Sequence, residues 1–223
     1  MGISNNSIHE MKLLKLFSLL IITLALISCS NDEKGNEGYS DVYNLPSIPY
    51  NYSNPNFPHT FTSYVFDFEN TPSNNTITDD AVTLGRVLFY DKKMSISNTI
   101  SCASCHKQEL GFSDDVPKSI GFDGTHTFRN TMGFANAGFY GAENFFWDHR
   151  AATLEDQVLM PFEDEVEMGM TLNELIEKIG DLEYYNPLFE NAFGDTQITS
   201  DRISKALSQF IRSIYSYNSK YDE

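Results

Sequence analysis

The sequence predicts a mainly α fold with long loops, on three observations. Apolar residues recur at helical spacing in four separate stretches, two of these stretches open on recognisable capping residues, and no segment alternates with period two for long. Its 223 residues, 41% of them hydrophobic, suffice for one compact domain or a domain plus a tail.

The first stretch begins at Thr78-Asp79-Asp80, a good cap, and carries Ala81, Leu84, Val87 and Leu88 towards Asp91. A second is expected from Thr153 to about Met160, with Glu155 and Asp156 in the first turn, where the helix dipole favours acids. Thr171 and Glu174 form a capping box that opens a third, with Leu172, Leu175, Ile176 and Ile179 on one face and Gly180 as the stop. The last starts near Ser200-Asp201 and places Ile203, Leu207, Phe210, Ile211 and Ile214 on one stripe. Residues 92–152 are expected as long loops, and no internal repeat is found.

Ahead of this domain, Met11-Lys12-Leu13-Leu14-Lys15 precedes an apolar run from Leu16 to Ile27, interrupted only by Ser18 and Thr23. That is the layout of a secretory signal, too short for a comfortable membrane span of roughly 20 apolar residues. It ends in Leu26-Ile27-Ser28-Cys29, which resembles a bacterial lipobox, so residues 1–28 are expected as a signal peptide with Met11 as the true start and Cys29 as a lipidated residue. Residues 29–71, rich in Asn, Ser, Pro, Tyr and Gly, are expected as a lipid-anchored flexible tether, and residues 72–223 as the folded domain. The expected location is the periplasmic side of the cell envelope, anchored to a membrane, with the outer membrane or surface display as the destinations. Against 15 Lys and Arg stand 31 Asp and Glu, a net charge of −16 that repels phosphate backbones and excludes a nucleic-acid partner.

The chemistry is concentrated in Ser101-Cys102-Ala103-Ser104-Cys105-His106. C-x-x-C-H is the attachment motif of a c-type haem: two cysteines three apart share one face of a helical turn and reach both vinyl groups of one porphyrin, and the next residue offers an imidazole to the iron. A zinc site would want a second ligand pair and a thioredoxin-like redox pair a βαβ context, and the sequence has neither. With Cys102 and Cys105 as haem thioethers and Cys29 lipidated, all three cysteines are assigned.

Seven blocks in order, Leu84-Gly85-Arg86-Val87-Leu88-Phe89-Tyr90-Asp91, the haem motif, Phe112-Ser113-Asp114, Arg129-Asn130, Phe146-Trp147-Asp148, Leu154-Glu155-Asp156-Gln157 and Val166-Glu167-Met168, resemble the N-terminal half of the bacterial di-haem cytochrome c peroxidases and their MauG-like relatives. The resemblance implies a cytochrome c-like domain holding one covalent haem. It makes Cys102, Cys105, His106 and Arg129 haem-site residues, with His106 on the iron, and it makes the enzyme one that reduces hydrogen peroxide with electrons from a cytochrome-type donor. It further implies Glu167 as acid-base group, Gln157 as the glutamine beside the peroxide, Trp147 as an electron relay and Asn130 as a contributor to a calcium site between the family's two domains. From the residues alone, Glu167 belongs to a solvated acidic run from Glu163, and Trp147 reads as a core anchor.

Three departures stand beside it. Phe122 occupies the place after Ser119-Ile120-Gly121 where some relatives carry a distal histidine, so either His126 serves as a displaceable ligand or the iron is open. His149 replaces a glycine in the Trp-Asp-Gly-Arg pattern. The chain contains no second C-x-x-C-H, so a C-terminally truncated enzyme is expected. The alternatives are a mono-haem electron carrier with Met168, Met170 or His126 as sixth ligand, and a MauG-like oxidase of a protein side chain.

Overall fold

The computed structural model of the chain describes residues 43–141, 144–217 and 219–220. Among them lie eight α-helices: α1 (Ser63–Phe66), α2 (Asp79–Tyr90), α3 (Cys102–Cys105), α4 (Leu154–Gln157), α5 (Met160–Glu163), α6 (Leu172–Gly180), α7 (Asn186–Phe193) and α8 (Ser200–Arg212). No strand occurs among the described residues, only isolated bridges pairing Lys107 with Ser113, Ile120 with His126 and Phe145 with Ala151.

The frame is α2 crossed by α8. Each begins at a threonine whose hydroxyl takes up an otherwise unpaired amide: Thr78 accepts from the Ala81 N–H (3.3 Å) and Thr199 from the Arg202 N–H (3.2 Å). Their buried stripes, Leu84, Val87, Leu88 and Phe89 facing Ile203, Leu207, Phe210 and Ile211, form the centre of one hydrophobic cluster. Burying each such side chain contributes about 1.5–3 kcal/mol. The helices approach so closely at Gly85 that a Cβ there would lie 2.0 Å from the Ala206 carbonyl oxygen and 2.9 Å from the Phe210 Cβ.

Two differences from the sequence expectation concern helices. The stretch from Thr153 is two short helices, because Pro161 has no N–H to donate to the Gln157 carbonyl and so cannot continue α4. Helix α7, which buries Leu188 and Phe189 and packs on α2, was not expected. Pro187 resembles a breaker in sequence but stands in the first turn, where the missing N–H has no partner to lose.

A third difference concerns the tether. Residues 43–71 have little regular structure, as their composition indicates, yet they lie packed on the domain. The Asp79 carboxylate, at the head of α2, accepts from the backbone N–H groups of Tyr52 and Ser53, both at 2.8 Å. Phe57 meets Tyr215 at 4.9 Å between ring centroids, and Phe61 meets Phe139 at 5.4 Å. The aromatic residues of this segment supply the apolar area that its Asn, Ser and Pro content conceals. The expected signal peptide over 1–28, the expected lipidation site Cys29 and the expected tether up to residue 42 lie outside the described residues.

Candidate active site

The Cys-Ala-Ser-Cys turn is a four-residue helix closed at its start by a reciprocal cap: the Ser101 N–H donates to the Ser104 hydroxyl (2.9 Å), and the Ser101 side chain answers the Ser104 amide. Both thiols are free. Burial, reinforced by the neighbouring Cys105, pushes Cys102 up to about 12, and burial together with the charge of Glu167 also raises Cys105. A nucleophilic redox pair needs the opposite shift. Among the described residues no group of three or more His, Cys, Asp or Glu side chains is placed to hold a metal ion.

His106 leaves this turn with its Nδ1 2.9 Å from the Phe112 carbonyl oxygen and 3.0 Å from that of Met132. Both partners only accept, so Nδ1 carries the proton and Nε2 keeps its lone pair. Burial pushes the imidazole down to about 4, which keeps it neutral, and the ring stacks on Phe134 at 3.9 Å. The loop that delivers the Phe112 carbonyl turns back on itself, with the Lys107 N–H donating to Ser113 (2.8 Å) and the Phe112 N–H to Lys107 (2.8 Å). An oriented, neutral imidazole with one committed nitrogen is the form that ligates iron.

His106 opens onto two adjoining cavities, of about 390 Å³ and about 60 Å³, that share Cys105, His106, Gln157, Pro161 and Glu167 in their linings. The smaller adds Cys102, Phe134 and the buried Met168. Gln157, at the end of α4, is 5% exposed, and its Oε1 is the one buried side-chain polar atom without a hydrogen-bond partner among the described residues. An orphaned acceptor in such a place calls for a donor from a bound molecule. Glu167 is half-buried, whereas Glu163 and Glu165 of the same acidic run are exposed. Burial, helped by the charge of Asp164 and opposed by Arg150, raises Glu167 to about 7. The run is therefore a solvated face with one member turned into the cleft.

The larger cavity's mouth carries Trp147, Asp148, Arg150 and Arg129. Asp148 joins the two arginines, 2.6 Å from Arg129 and 2.9 Å from Arg150, and their hydrogen bonds hold its carboxyl at about 2. Trp147 is 62% exposed and donates its Nε1–H to the Asn130 carbonyl (2.9 Å), so the core-anchor expectation is overturned. The tight loop that aims it, closed by the Phe145–Ala151 bridge, holds Phe146 and His149 at positive φ and so presents a large ring to solvent. Asn130 also lines the mouth, and its side-chain amide donates to the Val116 and Pro117 carbonyls (3.3 and 3.4 Å).

His126 and His149 are exposed and line neither cavity; His126 Nδ1 lies 3.1 Å from the Lys118 carbonyl oxygen. The Phe122 ring lies against Gly169, where a Cβ would come within 2.4 Å of it. Sequence reasoning missed the two carbonyls that orient His106, because a backbone acceptor leaves no mark in a residue pattern. It also missed the bidentate pair between Glu155 and Arg212 (2.6 and 3.0 Å) that secures α4 to α8.

Residues 79–223 match the family model described as di-haem cytochrome c peroxidase. The methylamine utilization protein MauG of Methylophilus methylotrophus is 34% identical over 151 residues, which are 68% of this chain and 44% of that protein. Cytochrome c551 peroxidase of Nitrosomonas europaea is 34% identical over 145 residues, 65% of this chain and 42% of that protein. The crystal structure of a MauG-like protein associated with microbial copper homeostasis superposes with a TM-score of 0.67 at 34% identity, covering 76% of this chain and 49% of that one. The chain spans less than half the length of these relatives.

Proposed function

This chain belongs to the di-haem cytochrome c peroxidase family, and from that premise we propose that residues 72–223 form a haem domain that reduces hydrogen peroxide to water with electrons from a cytochrome-type donor. Cys102 and Cys105 would hold one c-type haem as thioethers, His106 would offer Nε2 to its iron, and Arg129 would belong to the same haem site. Bound there, the haem would supply the iron chemistry for O–O cleavage, with the electrons coming from the donor. The carrying observation is the cleft itself: an imidazole fixed by two carbonyls and the orphaned Gln157 Oε1 line the same space as a carboxyl raised to about 7.

Each side chain then has a distinct task. Gln157 Oε1 accepts a hydrogen bond from a peroxide O–H and so fixes which oxygen faces Glu167. The Glu167 carboxylate takes a proton from one oxygen and returns it to the departing one, for which a group near pH 7 is suited. Two electrons and two protons convert one peroxide to two waters, and the electrons enter through Trp147 at the exposed mouth. Phe122, lying on Gly169, offers no ligating atom, and His126 is bonded outside the cleft, so neither would serve as a distal ligand. Asn130 contributes to a calcium site shared with a second domain. Cys29 carries the lipid that anchors the protein to a membrane surface on the periplasmic side of the envelope.

Haem-matured protein should consume peroxide, and Glu167→Gln should lose about 10²–10⁴-fold in rate while retaining its haem absorbance. Equal rates in the two proteins would refute the acid-base assignment. One observation favours a second reading, a mono-haem electron carrier: Met168 is 3% exposed and lines the smaller cavity, where its sulfur would serve as sixth ligand. A low-spin ferric spectrum that becomes high-spin in Met168→Ala would favour the carrier. A high-spin spectrum that responds to peroxide would favour the enzyme.

A further inference from the structure

A cavity of about 710 Å³ lies away from the cleft, on the outer side of α2, with a lining that includes Tyr50, Tyr52, Arg86, Tyr90, Gln108 and Phe112. Its size is that of a small-molecule site, and its walls combine aromatic rings with phenol hydroxyls and one guanidinium. One wall comes from residues 43–52, which precede the segment matching the family model. The others come from α2 with the loop after His106 and from the end of α8 with the residues that follow it.

Arg86 is half-buried here, its Nη1 donating to the Tyr52 hydroxyl (3.3 Å) and its guanidinium 5.4 Å from the centre of the Tyr50 ring. No carboxylate forms an ion pair with it among the described residues, although acidic residues outnumber basic ones two to one. By contrast Arg129, Arg150, Arg202 and Arg212 are each paired with an acid. A guanidinium offers five N–H donors in a planar fork that matches a carboxylate, and the phenols of Tyr52 and Tyr50 leave most of them free. Tyr90 closes the far side, its hydroxyl fixed on Gln108 Oε1 at 3.2 Å.

We infer that this cavity binds a small aromatic carboxylate. The single unpaired cation selects a monoanion, the fork selects a carboxylate, and the phenol rings of Tyr50, Tyr52 and Tyr90 select a flat ring beside it. Arg86 lines neither part of the haem cleft, so binding and peroxide chemistry are separable.

Calorimetric titration of the haem-matured full chain with benzoate tests the assignment. One-to-one binding with a Kd of about 1 mM or tighter is expected. Arg86→Met should weaken it about tenfold or more at unchanged helical circular dichroism, and Tyr50→Ser, a change at an exposed position, should weaken it as well. Acetate, which lacks the ring, and benzyl alcohol, which lacks the charge, should bind more weakly than benzoate. The assignment is overturned by the absence of saturable benzoate binding, by equal affinity in Arg86→Met, or by acetate binding as tightly as benzoate.

Discussion

Replacing Arg212 by methionine removes the cation that secures α4. Arg212 is 2% exposed; it gives two hydrogen bonds to Glu155 (2.6 and 3.0 Å) and one from Nε to Asn70 Oδ1 (2.9 Å). Glu155 also accepts from the Asn75 side chain (2.7 Å) and the Ser208 hydroxyl (3.0 Å). Burial pushes the Glu155 carboxyl up, but the hydrogen bonds and charge of Arg212 outweigh it and hold the group at about 2, against an ordinary value of 4.5. At 1.36 kcal/mol per pH unit that depression is about 3 kcal/mol of folding stability. Leaving a largely buried carboxylate without its partner costs about 3–5 kcal/mol, the same order. For a chain of this size the loss lowers Tm by about 6–20 °C. The sign of the pH dependence is fixed. A depressed carboxyl contributes fully above its unfolded pKa near 4.5 and loses that contribution as pH falls towards 2. The gap between wild type and Arg212→Met should therefore be full at pH 7 and shrink below about pH 4.5. Urea unfolding of both proteins across this range measures it. A gap under about 1 kcal/mol at pH 7 would refute the pair's role, and a gap that does not change with pH would refute its electrostatic origin.

Other perturbations have equally direct readouts. Gly85→Ala forces a Cβ to 2.0 Å from the Ala206 carbonyl oxygen, so α2 and α8 must separate, at a cost of about 3 kcal/mol in thermal unfolding. Because Glu167 titrates near 7 and must be ionised to accept the peroxide proton, peroxide consumption should rise with pH through about 7, and this dependence should vanish in Glu167→Gln. Cys29→Ser should abolish incorporation of labelled fatty acid and release the protein from membranes; retention on membranes would remove the lipid assignment.

What the sequence reveals follows from how local each signal is. Thr78 and Thr171 stand next to the amides they cap, and the stripes of α2, α6 and α8 repeat within a few turns, so these helices are legible without the fold, although the cap of α8 is Thr199, one residue before the start expected near Ser200. The haem motif is legible for the same reason, since its chemistry is contained in five residues. Helix α7 is hidden because Pro187 carries opposite meanings in the first turn and in the interior of a helix, and only the start point decides between them. The fate of residues 43–71 is hidden because Phe61 and Phe57 pack against Phe139 and Tyr215, partners about 80 and 160 residues distant in the chain. Glu167 is intermediate. Its acidic neighbours hide it, and only the seven-block resemblance singles it out from Glu163 and Glu165, which the structure leaves in solvent.

The cleft is built from pieces that could not hold their own shape. Helices α3, α4 and α5 have four residues each, well below the length at which a helix is stable alone. Their positions must therefore come from outside, and the hydrogen bonds identify the source. Helix α4, which ends in Gln157, is fixed by Glu155 to Arg212 at the end of α8, and Arg212 is fixed in turn by Asn70. Asn70 belongs to the packed segment before α2 and reaches on to the Ala137 carbonyl (2.8 Å) and, through its backbone N–H, to the Gly138 carbonyl (2.9 Å). The N-terminal segment is thus mechanically part of the cleft, although it lies before the family match and contributes no side chain to the lining. Removing it would strip Arg212 of Asn70, loosening the hold on α4 and Gln157, and would also free the Asp79 carboxylate at the head of α2.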